Sequence, residues 1–186
     1  VGHSMGGTVA SLYCGARPER VERLVLLEGI GPPAMPADAS LFRTRAWLNQ
    51  LAKPRGPRPV ASIEQGAQRL GVAHHKIDRA ILLRVAEQLT ELRDDGTRHW
   101  RHDPMHATTA PRAFHVDDYL AFLRVIDCPV LFIGGGPDGL HPSDEQDRLD
   151  AISGDVVRVD LPTAGHMMHW TQPAAVAEAI ADFLRS

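Results

Sequence analysis

Ser4 stands in the pentapeptide Gly2-His3-Ser4-Met5-Gly6, a Gly-x-Ser-x-Gly pattern. Glycine on both sides of the serine allows a turn from strand to helix too sharp for larger residues, and the turn holds the hydroxyl out in front of the helix. A serine hydroxyl is a poor nucleophile alone. It needs a base to take its proton, an acid to orient the base, and donors for the charge that develops on an attacked carbonyl oxygen. The Met5 N–H, at the start of the following helix and aided by its dipole, is the candidate oxyanion donor. The candidate base is His166 in Ala164-Gly165-His166, with His169 as a second choice or as loop packing. For the acid, Asp138 in Gly134-Gly135-Gly136-Pro137-Asp138 is favoured. Glu28, which ends the apolar run Arg23-Leu24-Val25-Leu26-Leu27-Glu28, is the alternative. Asp127, Asp144 and Asp160 read as solvated loop or helix-cap residues.

These side chains must be aimed by a scaffold, and the scaffold is legible in the hydrophobic pattern. Leu24 to Leu27 and Val130 to Ile133 are short apolar runs closed by glycines, as in strands buried on both faces of a parallel sheet, and Val156 to Leu161 is a weaker third. The small and apolar residues Thr8 to Tyr13 suit a tightly packed helix ended by Pro18. Ser143 with Gln146 reads as a capping box, and Thr171-Gln172-Pro173 opens a final helix carrying Ala177, Ile180, Phe183 and Leu184 at helical spacing. Strand and helix alternate, which is α/β order. Residues 1–31 and 117–186 are therefore expected to form one α/β core. The stretch 32–116, rich in Pro, Arg and His, reads as a helical insertion. Its helices are expected around Leu41 to Leu51, after a Ser62/Gln65 cap, and over Ile77 to Leu89, with Asp95-Gly96 turning a small hairpin.

Three of these motifs, in this order, resemble the alpha/beta-hydrolase fold of serine hydrolases and esterases. Gly2 to Gly7 is similar to the family's nucleophile elbow, Pro129 to Asp138 to its strand and acid loop, and Gly165-His166-Met167-Met168-His169 to its histidine loop. Leu27 to Pro33 and Trp100 to Pro104 are similar to bacterial members of the serine-hydrolase-like kind. The resemblance implies parallel strands flanked by helices, a helical cap over residues 32–116, and a Ser4, Asp138, His166 triad with Glu28 as the alternative acid. It also implies hydrolysis of an ester-like small molecule with water as the only cosubstrate and no cofactor. Serine rather than aspartate at the elbow argues against epoxide hydrolase and dehalogenase chemistry. Peptide and carbon–carbon bond hydrolysis stay open, as does a non-catalytic binding or scaffold role on the same fold. Family members carry four or five strands before the elbow, and a loop there supplies the second oxyanion N–H. Because this chain opens on Val1 and reaches the elbow at once, its amino-terminal part is expected to be missing, leaving a fragment with an open sheet edge that by itself is expected to aggregate or be inactive.

Composition narrows the partners. The chain has 186 residues, 44% apolar and 23% charged, with a net charge of −3. That suits about one domain with a real core and gives no electrostatic reason to bind nucleic acid. No apolar run approaches the ~20 residues of a membrane-spanning helix. Cys14 and Cys128 form no disulfide framework or zinc-binding spacing, and a reducing cytoplasm is expected. His99, His102, His106 and Asp103 read as polar cap residues rather than metal ligands. Gly134 to Gly136 lacks the spacing of a nucleotide-binding loop. Phe42, Trp47, Trp100, Phe114 and Tyr119 read more readily as core than as pocket lining.

Overall fold

The computed structural model describes residues 1–186 except Ala37, Arg55, Pro57 and Arg58. Its elements run β1 (Gly2–His3), α1 (Met5–Ala16), β2 (Leu24–Leu27), α2 (Ala39–Ala52), α3 (Ile63–Ala73), α4 (Arg79–Leu89), β3 (Thr90–Leu92) and β4 (Arg98–Trp100). After these come α5 (Val116–Leu123), β5 (Val130–Gly135), α6 (Glu145–Asp150), β6 (Val156–Leu161), α7 (Met168–Thr171) and α8 (Pro173–Arg185). The chain divides into two compact units, residues 1–35 with 114–186 and residues 36–113.

In the first unit β1, β2, β5 and β6 form a parallel sheet in that order. Side chains alternate between faces along each strand, so the apolar runs serve two cores. Leu24, Leu26, Val130 and Phe132 pack with Cys14, Tyr119 and Leu123 on one face. Val25, Leu27, Leu131 and Ile133 pack with Met168, Val176 and Phe183 on the other. A strand buried on both sides must be apolar at every position, which is why β2 and β5 read as unbroken runs. The Tyr119 hydroxyl lies 2.6 Å from Ser11 Oγ and ties α5 to α1. Phe114 packs its ring on Tyr119, and both belong to this core.

Ser143 does not cap α6. The helix begins at Glu145 behind Asp144, whose carboxylate is held instead by the fully buried Arg148 across one helical turn. Arg148 also donates to the carbonyls of Ile30 and Pro32, fixing the chain that follows β2.

The second unit is built on helices. Ser62 Oγ accepts the Gln65 N–H at 3.2 Å and the Gln65 side chain accepts the Ala61 N–H at 2.9 Å, opening α3. Asp78 caps α4 through the Ala80 N–H. Ala67, Leu82 and Ala86 form the seam between these two helices. β3 and β4 pair antiparallel, turned by Asp95-Gly96 with Gly96 at φ 77°. Asp103 caps the short turn Pro104–Ala107 through the Met105 N–H, and the His102 ring lies against Trp100 and His106. Among the described residues, no three His, Cys, Asp or Glu side chains gather as a metal site would require, and no helix is long and apolar enough to cross a membrane.

Candidate active site

Ser4 sits between β1 and α1 at φ 53° and ψ −124°, a conformation L-residues rarely adopt. Its N–H donates to the Leu27 carbonyl at 3.0 Å, continuing the sheet up to the turn. The glycines around it do not all serve one purpose. A side chain on Gly2 would come within 2.5 Å of Gly7, and one on Gly7 equally near Gly29, so these glycines let the elbow close and α1 lie on the chain leaving β2. At Gly6 a Cβ would meet nothing within 4 Å outside its own helix. The expectation that glycine is sterically required on both sides of the serine thus holds at Gly2 and fails at Gly6.

His166 lies in the loop between β6 and α7. Its Nε2 is 2.9 Å from Ser4 Oγ and its Nδ1 is 2.6 Å from Glu28 Oε2. A carboxylate oxygen can only accept, so Nδ1 carries the proton and Nε2 presents its lone pair to the serine hydroxyl. This is the arrangement of a general base and its nucleophile.

The carboxylate within hydrogen-bond distance of the imidazole is that of Glu28, the alternative acid of the sequence reading. The reason lies in how the two strands end. Glu28 turns at φ 47°, and with Ser4 it is one of two non-glycine residues at positive φ among the described residues. Its side chain is fully buried, while Asp138 is exposed. Asp138 meets the histidine loop through its main chain: its carbonyl accepts the His166 N–H at 3.1 Å. The glycines of the loop after β5 make room for Glu28, since a Cβ on Gly135 would stand 2.5 Å from its Oε1 and one on Gly139 would collide with it.

Glu28 Oε1 accepts the Gly135 N–H at 2.6 Å, and Oε2 accepts the Leu140 N–H at 2.8 Å as well as the His166 proton. Burial alone pushes a carboxyl group up. Here the bonds from His166, Leu140 and Gly135 outweigh it and hold Glu28 below the usual carboxylate range. His169, the second candidate base, lies with His3, ring centroids 4.3 Å apart, and against Trp170. Burial, then the nearby His3 and His166, pushes it down to about 4. It stays neutral at physiological pH, and its Nδ1 is buried without a hydrogen-bond partner. His3, unremarked in the sequence except as part of the elbow, donates from Nε2 to the His166 carbonyl at 2.8 Å. Cys14 and Cys128 are free thiols facing each other at 3.7 Å. Burial, then Cys128, pushes the Cys14 thiol up to about 12.

The family model for the alpha/beta hydrolase fold matches residues 1–173. This chain belongs to that family. It is 26% identical over 190 residues to an "sn-1-specific diacylglycerol lipase ABHD11" of Danio rerio, covering all of this chain and 56% of that protein. It is 27% identical over 200 residues to a "Serine hydrolase-like protein" of the same fish, covering all of this chain and 60% of that one. The chain thus spans less than two thirds of these relatives. Among solved structures, the hypothetical protein PA1622 of Pseudomonas aeruginosa superposes with a TM-score of 0.79 at 25% identity, over all of this chain and 66% of the other. A thioesterase domain from the curacin biosynthetic pathway shares the fold, with a TM-score of 0.72 at 24% identity over 97% of this chain and 63% of that one.

Proposed function

We propose that this chain carries the nucleophile, base and acid of a serine hydrolase acting on ester-like bonds. The observation that carries the reading is the unbroken line from Ser4 Oγ to His166 Nε2 at 2.9 Å and from His166 Nδ1 to Glu28 at 2.6 Å. In this mechanism His166 takes the hydroxyl proton as Ser4 attacks the carbonyl carbon, and the Met5 N–H donates to the oxyanion at the start of α1. The resulting imidazolium is stabilised by Glu28 and returns its proton to the leaving group, leaving an acyl-enzyme. A water molecule, deprotonated by His166, then attacks the acyl carbon, and Ser4 recovers its proton as the acid product departs. Glu28 stays ionised throughout, while Asp138 positions the base through its carbonyl. An ester is the substrate class in keeping with the diacylglycerol lipase name of one relative, and a serine hydrolase with the name of the other.

The test is labelling of the full-length protein by a fluorophosphonate, which captures only an activated serine. Labelling is expected in the wild type and is expected to vanish in Ser4→Ala and in His166→Ala. A folded wild type that stays unlabelled would leave the fold to a binding or scaffold role.

A further inference from the structure

We propose that His141 is a positioning residue for Glu28, held as an imidazolium that keeps this carboxylate aimed at His166 and offsets its field there. The proposal rests on the reading of Ser4, His166 and Glu28 as a catalytic triad, and it concerns a residue in which the sequence pattern shows no function.

His141 stands in the loop between β5 and α6, and both of its ring nitrogens face acceptors. Nδ1 is 2.8 Å from Glu145 Oε2, and Nε2 is 3.1 Å from the Gly135 carbonyl. A carboxylate and a carbonyl accept only, so a neutral imidazole, with one N–H, would set a lone pair against one of them. The doubly protonated ring satisfies both. The same Nε2 lies 3.6 Å from Glu28 Oε1, on the opposite side of the carboxylate from the oxygen that receives His166.

The charged and polar groups around His141 come from four elements. Glu28 reaches it from the end of β2, Glu145 from α6 and the Gly135 carbonyl from β5, while Arg158 of β6 pairs with the far oxygen of Glu145 at 3.0 Å and with Asp160 at 2.9 Å. Charges therefore alternate from Asp160 through Arg158, Glu145 and His141 to Glu28. Burial pushes His141 down, but the bond to Glu145 and the charges of Glu145 and Glu28 outweigh it, so its net shift is upward. The charge is thus complete below the ordinary histidine value and is lost only as pH rises through the raised one. Glu28 is fully buried, and a buried carboxylate needs compensation. Two backbone N–H groups and His166 provide hydrogen bonds, and His141 provides the one standing cation beside it among the described residues.

Long-range proton–nitrogen spectroscopy of the full-length protein reads the ring directly. Both nitrogens of His141 are expected to stay protonated to a higher pH than in an ordinary histidine; a neutral tautomer at or below the ordinary histidine value would overturn the proposal, whether or not Ser4 is a nucleophile. The second measurement is the pH dependence of fluorophosphonate labelling in His141→Gln, which keeps polar contacts and removes the charge. Without the cation, the field of Glu28 on His166 is uncompensated and the imidazolium of His166 forms more readily. The acidic limb of the rate profile is then expected to move to higher pH by about half a unit or more. A uniform loss of rate with the limb unmoved would assign His141 to loop structure alone and refute the positioning role. Labelling that persists in Ser4→Ala would instead strike the triad reading, while the nitrogen spectrum still decides the charge state.

Discussion

Glu28 and Asp138 both follow buried strands, and the chemistry separates them sharply. If Glu28 fixes the tautomer of His166, Glu28→Gln should lower kcat/KM for a small ester by about 10²–10⁴-fold with the fold intact, because a neutral amide no longer stabilises the imidazolium. Asp138→Asn leaves the carbonyl that holds the His166 N–H in place and should cost less than about tenfold. The reverse ranking would make Asp138 the acid. Glu28 also gives a pH signature. Because its folded-state value is depressed, its ionised form contributes stability above the ordinary carboxylate range, and that contribution is lost as pH falls through the depressed value. Acid unfolding of the wild type should therefore be steeper than that of Glu28→Gln. The sequence placed both carboxylates correctly at strand ends. What the sequence pattern did not show is the positive φ at Glu28 and the room that glycines 135 and 139 leave for a side chain more than 100 positions away in the chain, which bring Glu28 to His166. One signal for it was present: a carboxylate closing a wholly apolar run and followed at once by Gly29.

At the scale of elements, the elbow depends on how closely α1 can lie on the chain that leaves β2. Gly7→Ala would drive its Cβ to 2.5 Å from the Gly29 backbone, so it should destabilise the protein by about 3 kcal/mol or more. Gly6→Ala meets no neighbour outside its helix and should stay within about 1 kcal/mol of the wild type. Thermal unfolding of the two variants checks this, and equal losses would refute the close-approach argument. The strands and most helices were legible because burial on two faces and helical spacing leave their mark on every residue of an element. The start of α6 was not, since Ser143 and Asp144 are both good cap residues. Tertiary structure decided there, with the buried Arg148 taking the Asp144 carboxylate for a lock on Ile30 and Pro32. An arginine is an improbable core residue by composition alone, and its two carbonyl partners, Ile30 and Pro32, come from a segment more than 100 positions away.

For the whole molecule, the consequence lies in where the second unit is spliced into the first. The chain leaves the first unit at Met35 and re-enters at Phe114, and the Met35 N–H donates to the Phe114 carbonyl at 3.4 Å. Two chain ends already in hydrogen-bond contact can be joined by a short turn without strain, and the loop-closure cost of the remaining core falls when the intervening residues are removed. The proposed site lies within one side of this division: Ser4, Glu28 and His166 all belong to the first unit, as do Gly135, Leu140 and His141 around Glu28. Replacing residues 36–113 of the full-length protein by a short Gly-Ser linker should therefore leave a folded core whose Ser4 still reacts with a fluorophosphonate. If residues 36–113 select the substrate, the ranking of short-chain against long-chain esters should change in the same variant while the pH at which labelling rises stays put. A core that unfolds on excision would show that the first unit draws its stability from the second, and a folded core with an unreactive serine would place part of the reaction's machinery in residues 36–113.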